Sequence, residues 1–234
     1  MGKGWKKAGM ADVAAKKGKL FTKLAREVYV AAKMGGPDPE GNPRLKIAIR
    51  SALDVSCPKN TIERAIQKAT GQGDDAANFE DVTYEGQGPY NVGIIVECQT
   101  DNRNRTVTNI RNVFNKNGGK MGDQGSVAWM FDRVCLIEGL REGDFDPEEE
   151  AIEANANEVE FDKQEKKYSF YGAPEDLDVI RTALSDRGWD ITTAELSYKP
   201  KNTTDLTEDQ VSEVEALLEA LDDDDDSHRI YATL

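Results

Sequence analysis

The chain has 234 residues, of which 38% are apolar and 32% charged, with a formal net charge of −14. That length suffices for two or three small domains, each with a core of its own. No apolar run approaches the roughly 20 residues of a membrane span, and no short apolar stretch follows the start as in a secretory signal. The composition therefore reads as a cytoplasmic protein with no membrane contact.

Cys57, Cys98 and Cys135 are scattered along the chain and form neither a disulfide framework nor a paired metal-ligand spacing. His228, the single histidine, cannot build a His-based metal site and could serve at most as one general base. No metal and no cofactor are expected.

The net charge hides an asymmetry. Residues 1–70 carry 15 Lys/Arg against 6 Asp/Glu, and the other 164 residues carry 15 against 38. Electrostatic recognition is a property of a domain. A Debye length of about 8 Å at physiological salt screens an acidic lobe held at a distance. The basic N-terminal part is therefore expected to meet a polyanion on its own account.

Residues 1–18 read as a mobile basic arm. From Lys19 onward Leu20, Leu24, Val28 and Ala31 recur at helical spacing, and Gly35-Gly36-Pro37 stops the run. Asn42 and Pro43 read as N-cap and first position of a second helix, with Leu45, Ile49, Ala52 and Leu53 inward. Pro58 opens a third, with Ile62, Ala65, Ile66 and Ala69 on one face, and residues 71–77 read as a linker.

The period then changes. Strands are predicted at 82–84 and 92–99, a helix over 104–117 with Val107, Ile110, Val113 and Phe114 inward, and a strand over Ser126–Phe131. Residues 134–199 give a strand at 134–138, a helix at 147–156, strands at 158–162 and 167–171, a helix at 175–187 and a strand at 190–198. That β-α-β-β-α-β order is the ferredoxin-like unit. A helix over 207–221 and a strand from Arg229 to Ala232 have no place in that unit and are assigned to the earlier sheet. The expected fold class is α+β: an N-terminal three-helix bundle followed by two ferredoxin-like α+β domains, the second inserted in the first. Bundle and arm occupy 1–74, the central domain 78–132 with 203–234, and the acidic inserted domain 133–200.

Catalysis needs convergent, tuned groups, and no such constellation is legible. Gly118 to Gly125 lacks the Gly-Lys-Ser/Thr ending of a phosphate-binding loop and follows a helix instead of preceding one. Glu148–Glu150 and Asp222–Asp226 read as a solvated helix start and an acidic loop, because hard cations need ligands converging from a shaped loop. The protein is read as non-enzymatic, with no small-molecule substrate.

The positive candidates are electrostatic. Lys3, Trp5, Lys6, Lys7, Lys16, Lys17, Lys19, Lys23, Arg26 and Lys33 crowd the first 33 residues. Lys19, Lys23 and Arg26 form one polar stripe, which suits phosphates because these need only point charges, and Trp5 suits stacking on a base. Arg103 and Arg105, in the segment 100–106, are a second candidate; there an anion contact and internal pairing with Asp101 stand as alternatives. The expected partner is a nucleic acid, and composition does not choose DNA over RNA. The joint at 55–58 lacks the glycine turn of a helix-turn-helix. Oligomeric state is not legible.

Several strings together are specific: Trp5, residues 19–27 (KLFTKLARE), Gly36-Pro37-Asp38-Pro39, Asn42-Pro43-Arg44-Leu45, Tyr84-Glu85-Gly86, residues 101–106 (DNRNRT) and Gly125-Ser126-Val127-Ala128. With them the chain resembles, over nearly its whole length, the YebC family of probable transcriptional regulatory proteins, which includes a mitochondrial translational activator. The resemblance implies a helical bundle plus two α+β domains. It implies DNA binding and transcription control, with action on translation through mRNA or the ribosome as the alternative. The usual Ser-Lys-Trp-Ala-Asn start is replaced here by Gly2-Lys3-Gly4-Trp5-Lys6-Lys7, a change that keeps lysine–phosphate contacts and removes the family's base-reading candidates from the arm.

Overall fold

The computed structural model describes the backbone of residues 10–71, 79–163 and 165–234, with side chains from residue 17 onward. Three helices come first, α1 (Met10–Gly35), α2 (Pro43–Asp54) and α3 (Lys59–Ala69). Residues 10–18, expected in the arm, are the first turns of α1; their alanines and lysines are good helix formers. Lys3, Trp5, Lys6 and Lys7 lie outside the described residues, as does most of the expected linker.

α1 ends where Gly36 takes φ +91°, the left-handed conformation glycine adopts without strain, and its N–H donates to the Ala32 carbonyl at 2.9 Å. Asn42 then caps α2 as expected, its Oδ1 accepting from Leu45 N at 3.1 Å. The same amide donates to the carbonyls of Ala31 (2.8 Å) and Gly36 (2.9 Å), so one buried side chain joins the end of α1 to the start of α2. Val28, Leu45, Ala52 and Ile62 fill the core. Leu53, expected inward, is 42% exposed; the inward row of α2 is Leu45, Ala48 and Ala52.

The remainder forms β1 (Glu80–Gln87), β2 (Gly93–Thr100), α4 (Arg103–Lys116), β3 (Lys120–Met121), β4 (Phe131–Leu140), α5 (Pro147–Glu153), β5 (Glu158–Asp162), β6 (Lys167–Gly172), α6 (Leu177–Asp186), β7 (Asp190–Pro200), α7 (Glu208–Asp222) and β8 (Ser227–Ala232). They make two antiparallel four-stranded sheets, ordered β3-β1-β2-β8 and β5-β6-β4-β7. The second sheet has the β-α-β-β-α-β chain order. The first takes its last strand from the far end of the chain, with Ile95 opposite Tyr231.

The strand expected over Ser126–Phe131 does not form. A short 3-10 turn (Ala128–Met130) stands there and the strand starts at Phe131; the segment beside β1 is Lys120–Met121. The cause is Glu85 in β1, whose buried carboxylate takes the N–H groups of Gly125 (2.7 Å), Val127 (2.8 Å) and Ala128 (2.8 Å). Donors held by a carboxylate are lost to a sheet ladder. This contact also accounts physically for two of the family strings, residues 84–86 and 125–128.

β2 is buried on both faces. Ile94, Val96 and Cys98 pack with Ile110 and Phe114 of α4 and with Val214, Leu217 and Leu221 of α7. Ile95 faces the other way, against Val127, Phe131, Tyr198 and Tyr231. A third core gathers Ile137, Phe170, Ile180, Leu184 and Trp189. Each fully buried side chain of this size contributes about 1.5–3 kcal/mol. Among the described residues, no helix is long and apolar enough to cross a membrane.

Candidate nucleic-acid interface

α1 carries Lys19, Lys23 and Arg26 along one side, as their spacing requires, but that side meets the C-terminal end of α7. Lys19 Nζ donates to the Asp223 carbonyl at 2.9 Å. Lys23 donates to the Asp222 carbonyl and lies 3.4 Å from its carboxylate. Arg26 donates to the carbonyls of Gln99 (2.7 Å) and Asp225 (2.9 Å), stands 3.4 Å from Asp226 Oδ1, and lies over the Phe79 ring at 4.7 Å. The carbonyl end of a helix followed by an aspartate run is a natural seat for cations.

Arg105 closes the cluster from α4. Its Nη2 donates to Asp226 at 2.8 Å and to Asp101 at 3.0 Å, and the Thr106 hydroxyl donates to Asp226 at 2.7 Å. Asp226 is 2% exposed. The stripe expected to lie on phosphates thus holds the protein's own acidic turn. The acidic run is in contact with the basic helix, not a screening length away, and Arg105 follows the internal-pairing alternative. Lys17 and Lys33 lie over the rings of Phe21 (5.5 Å) and Tyr29 (5.6 Å). Lys16 is described only as helix backbone. Arg103 is exposed at the start of α4, its carbonyl accepting from Tyr84 at 3.5 Å.

Glu27, which the charge count treats as a stray acid in a basic run, is a buried junction. It accepts from Gln99 Nε2 (2.9 Å) and Arg44 Nε (3.1 Å), and His228 Nε2 lies 3.1 Å from its second oxygen. Burial alone would raise its pKa; the contact with His228 and the charges of His228, Arg44 and Arg229 prevail and hold it well below the usual carboxylate range. His228 is thereby a fastening between the bundle and β8. Beside it a cleft of about 630 Å³ runs between the bundle and the two sheets. Its arginines face its carboxylates: Arg133 with Glu97 (3.2 Å), Arg181 with Asp178 (3.4 Å) and Arg229 with Glu195. Most of the cleft's charged groups are therefore already engaged by one another. A count of charges could not find Glu27 or Asp226; the only local signal for Glu27 is an acid isolated among cations, and Asp226 is hidden at the end of a run of aspartates.

Two groups of exposed helical cations reach no carboxylate among the described residues. α3 presents Lys59, Arg64 and Lys68; α4 with β3 presents Arg103, Arg111, Lys116 and Lys120. Sequence reasoning missed the α3 group because the adjacent Glu63 dilutes its charge.

These features define an α+β protein with three N-terminal helices followed by two antiparallel sheets. Residues 3–72 match the family model described as "TACO1/YebC protein N-terminal domain", and residues 79–234 the model "TACO1/YebC second and third domain". The chain belongs to the TACO1/YebC family. It is 58% identical, over the whole of both chains, to a probable transcriptional regulatory protein of Bdellovibrio bacteriovorus. It is 44% identical to one of Anoxybacillus flavithermus, covering 94% of this chain and 90% of the other. Among solved structures it is similar to a conserved hypothetical protein of Aquifex aeolicus, with a TM-score of 0.82 and 39% identity, covering 98% of this chain and 95% of that one.

Proposed function

We propose that this chain is a nucleic-acid-binding regulatory protein, a DNA-binding regulator of transcription. The carrying observation is α3. Lys59, Arg64 and Lys68 stand exposed without a carboxylate partner among the described residues, in a chain with 44 acidic residues. Asn60, Arg64 and Lys68 follow one another at four-residue spacing, so they form one ridge. Lysine and arginine along a ridge neutralise phosphates and release counterions, which supplies sequence-independent affinity. The names of the relatives in Bdellovibrio and Anoxybacillus support a role in transcription. In this reading 78–132 with 203–234 form a central unit carrying an inserted unit over 133–200, and the acidic turn holds the bundle on that central unit.

The test is a salt titration of the full chain on a short random-sequence DNA duplex. Log affinity is expected to fall with log salt at about −0.9 per phosphate contacted, and the triple substitution K59A/R64A/K68A should reduce that slope by roughly 2–3. Binding that ignores salt overturns the proposal. Crosslinking in cells with sequencing of both DNA and RNA is expected to enrich promoter DNA. Recovery of ribosomal or messenger RNA alone would move the protein to the translation class.

A further inference from the structure

The exposed face of α4 has a composition that neither the core nor the interdomain contacts explain. From Asn102 to Gly122 the chain holds Arg103, Arg105, Arg111, Lys116 and Lys120 and no acid, although 44 of its 234 residues are acidic. Buried Thr106, Ile110 and Phe114 mark the inward side of the helix. At about 100° per residue, the row Asn104, Thr108, Asn112 and Asn115 runs along the outer side, and all four are exposed. Arg111 flanks this row on one side, Arg105 and Lys116 on the other.

Helix stability does not account for this choice. Asparagine is among the poorer helix formers, and a face selected for stability alone carries Ala, Glu, Lys or Gln. Arg103 and Arg105 in the first turn oppose the helix dipole, and Lys116 alone is favoured by it. Arg105 is explained by Asp226; Arg103 and Arg111 are not in any ion pair among the described residues. Asn102 and Asn117 are also explained, the first as N-cap and the second by its 2.8 Å bond to the Val113 carbonyl. The side-chain amides of Asn104, Asn109, Asn112 and Asn115 have no hydrogen-bond partner among the described residues. The acidic helix α7 packs beside α4, on the side where Arg105 meets Asp226, which leaves the Arg111 flank facing away from those acids.

We propose that α4 enters the major groove of duplex DNA, with Asn104 and Asn112 offering amides to base edges and Arg111, Lys116 and Lys120 contacting phosphates. A helix of roughly 10–12 Å diameter fits the groove of about 12 Å, and an asparagine amide pairs with N6 and N7 of adenine. The major groove of duplex RNA is too narrow for it. Single strands are held on aromatic platforms, and the one aromatic residue of α4, Phe114, is buried. This inference rests on the nucleic-acid reading above and extends the contact to a second part of the chain.

The experiment uses the full chain, a random-sequence DNA duplex pool and a duplex RNA competitor of equal length. R111E/K116E is expected to weaken binding to the pool about ten-fold or more at fixed salt, and R111K/K116R to bind like the parent. N104A/N112A should keep pool affinity within about two-fold, yet lose about five- to hundred-fold of the preference for sequences enriched by repeated selection. All substituted residues are exposed, and thermal melts check that each variant is folded. If R111E/K116E binds as the parent while K59A/R64A/K68A does not, the α4 assignment is overturned and the general reading stands. Absence of duplex binding by the parent overturns both, and stronger competition by duplex RNA overturns the groove assignment.

Discussion

Replacing Asp226 by alanine removes the shared acceptor of three side chains on two helices, α1 and α4. Its carboxylate takes two nitrogens of Arg105, at 2.8 and 3.3 Å, and the Thr106 hydroxyl at 2.7 Å, with Arg26 3.4 Å away. Breaking a buried pair from one side costs about 3–5 kcal/mol, because the remaining charges stay desolvated. Here the lower end applies, since the Arg105 side chain is 47% exposed and keeps Asp101 at 3.0 Å. A loss of about 3 kcal/mol corresponds to a fall in Tm of roughly 6–12 °C for a chain of this length. Differential scanning calorimetry measures it. The same variant releases Arg26 and Arg105 from their acidic partner, so it should elute from a heparin column at higher salt than the parent. A Tm within about 2 °C of the parent, with unchanged elution, would refute the view that the acidic turn neutralises the basic stripe.

Two further outcomes follow from buried carboxylates. Glu85→Ala leaves three backbone N–H groups without their acceptor, of which that of Val127 is buried and that of Gly125 exposed. An unsatisfied buried donor costs about 1–3 kcal/mol, so the variant should lose about that much stability and exchange faster at the amides of Gly125, Val127 and Ala128; unchanged exchange there would contradict the role given to Glu85. Glu150 accepts from Arg187 (2.8 and 2.9 Å) and Trp189 (3.0 Å), with Arg141 at 2.7 Å. The Arg187 hydrogen bonds lead in holding its pKa down to about 2 from 4.5. Since the folded-state value is the depressed one, its contribution is complete above about 4.5 and disappears as pH falls toward about 2. Thermal melts across that window should decline less steeply for Glu150→Gln than for the parent, and parallel curves would count against the assignment.

Much of the architecture was legible because its causes are local. Asn42 before Pro43 has the chemistry of a cap, Gly36 that of a helix stop, and the apolar run of β2 that of a strand buried on two faces. Ser126–Phe131 was misread for the opposite reason. Its β-like composition is overridden by Glu85, forty residues earlier in the chain, and no window of sequence contains both. The candidate site divides in the same way: the positions of Lys19, Lys23 and Arg26 on one side of a helix are read from periodicity, whereas what stands opposite that side is not.

By itself the sequence determined most of the elements, their order, the segregation of charge and the family strings. These depend on residues within a turn or two of one another, where backbone geometry and side-chain period govern. Only the tertiary structure decided which cations remain available to a partner. It closed the first sheet with β8, brought the end of α7 against α1, and so paired Lys23, Arg26 and Arg105 with aspartates, while the exposed cations of α3 and α4 keep no carboxylate partner among the described residues. A charge acts on whatever lies within a few ångströms of it, and that neighbourhood is set by the fold.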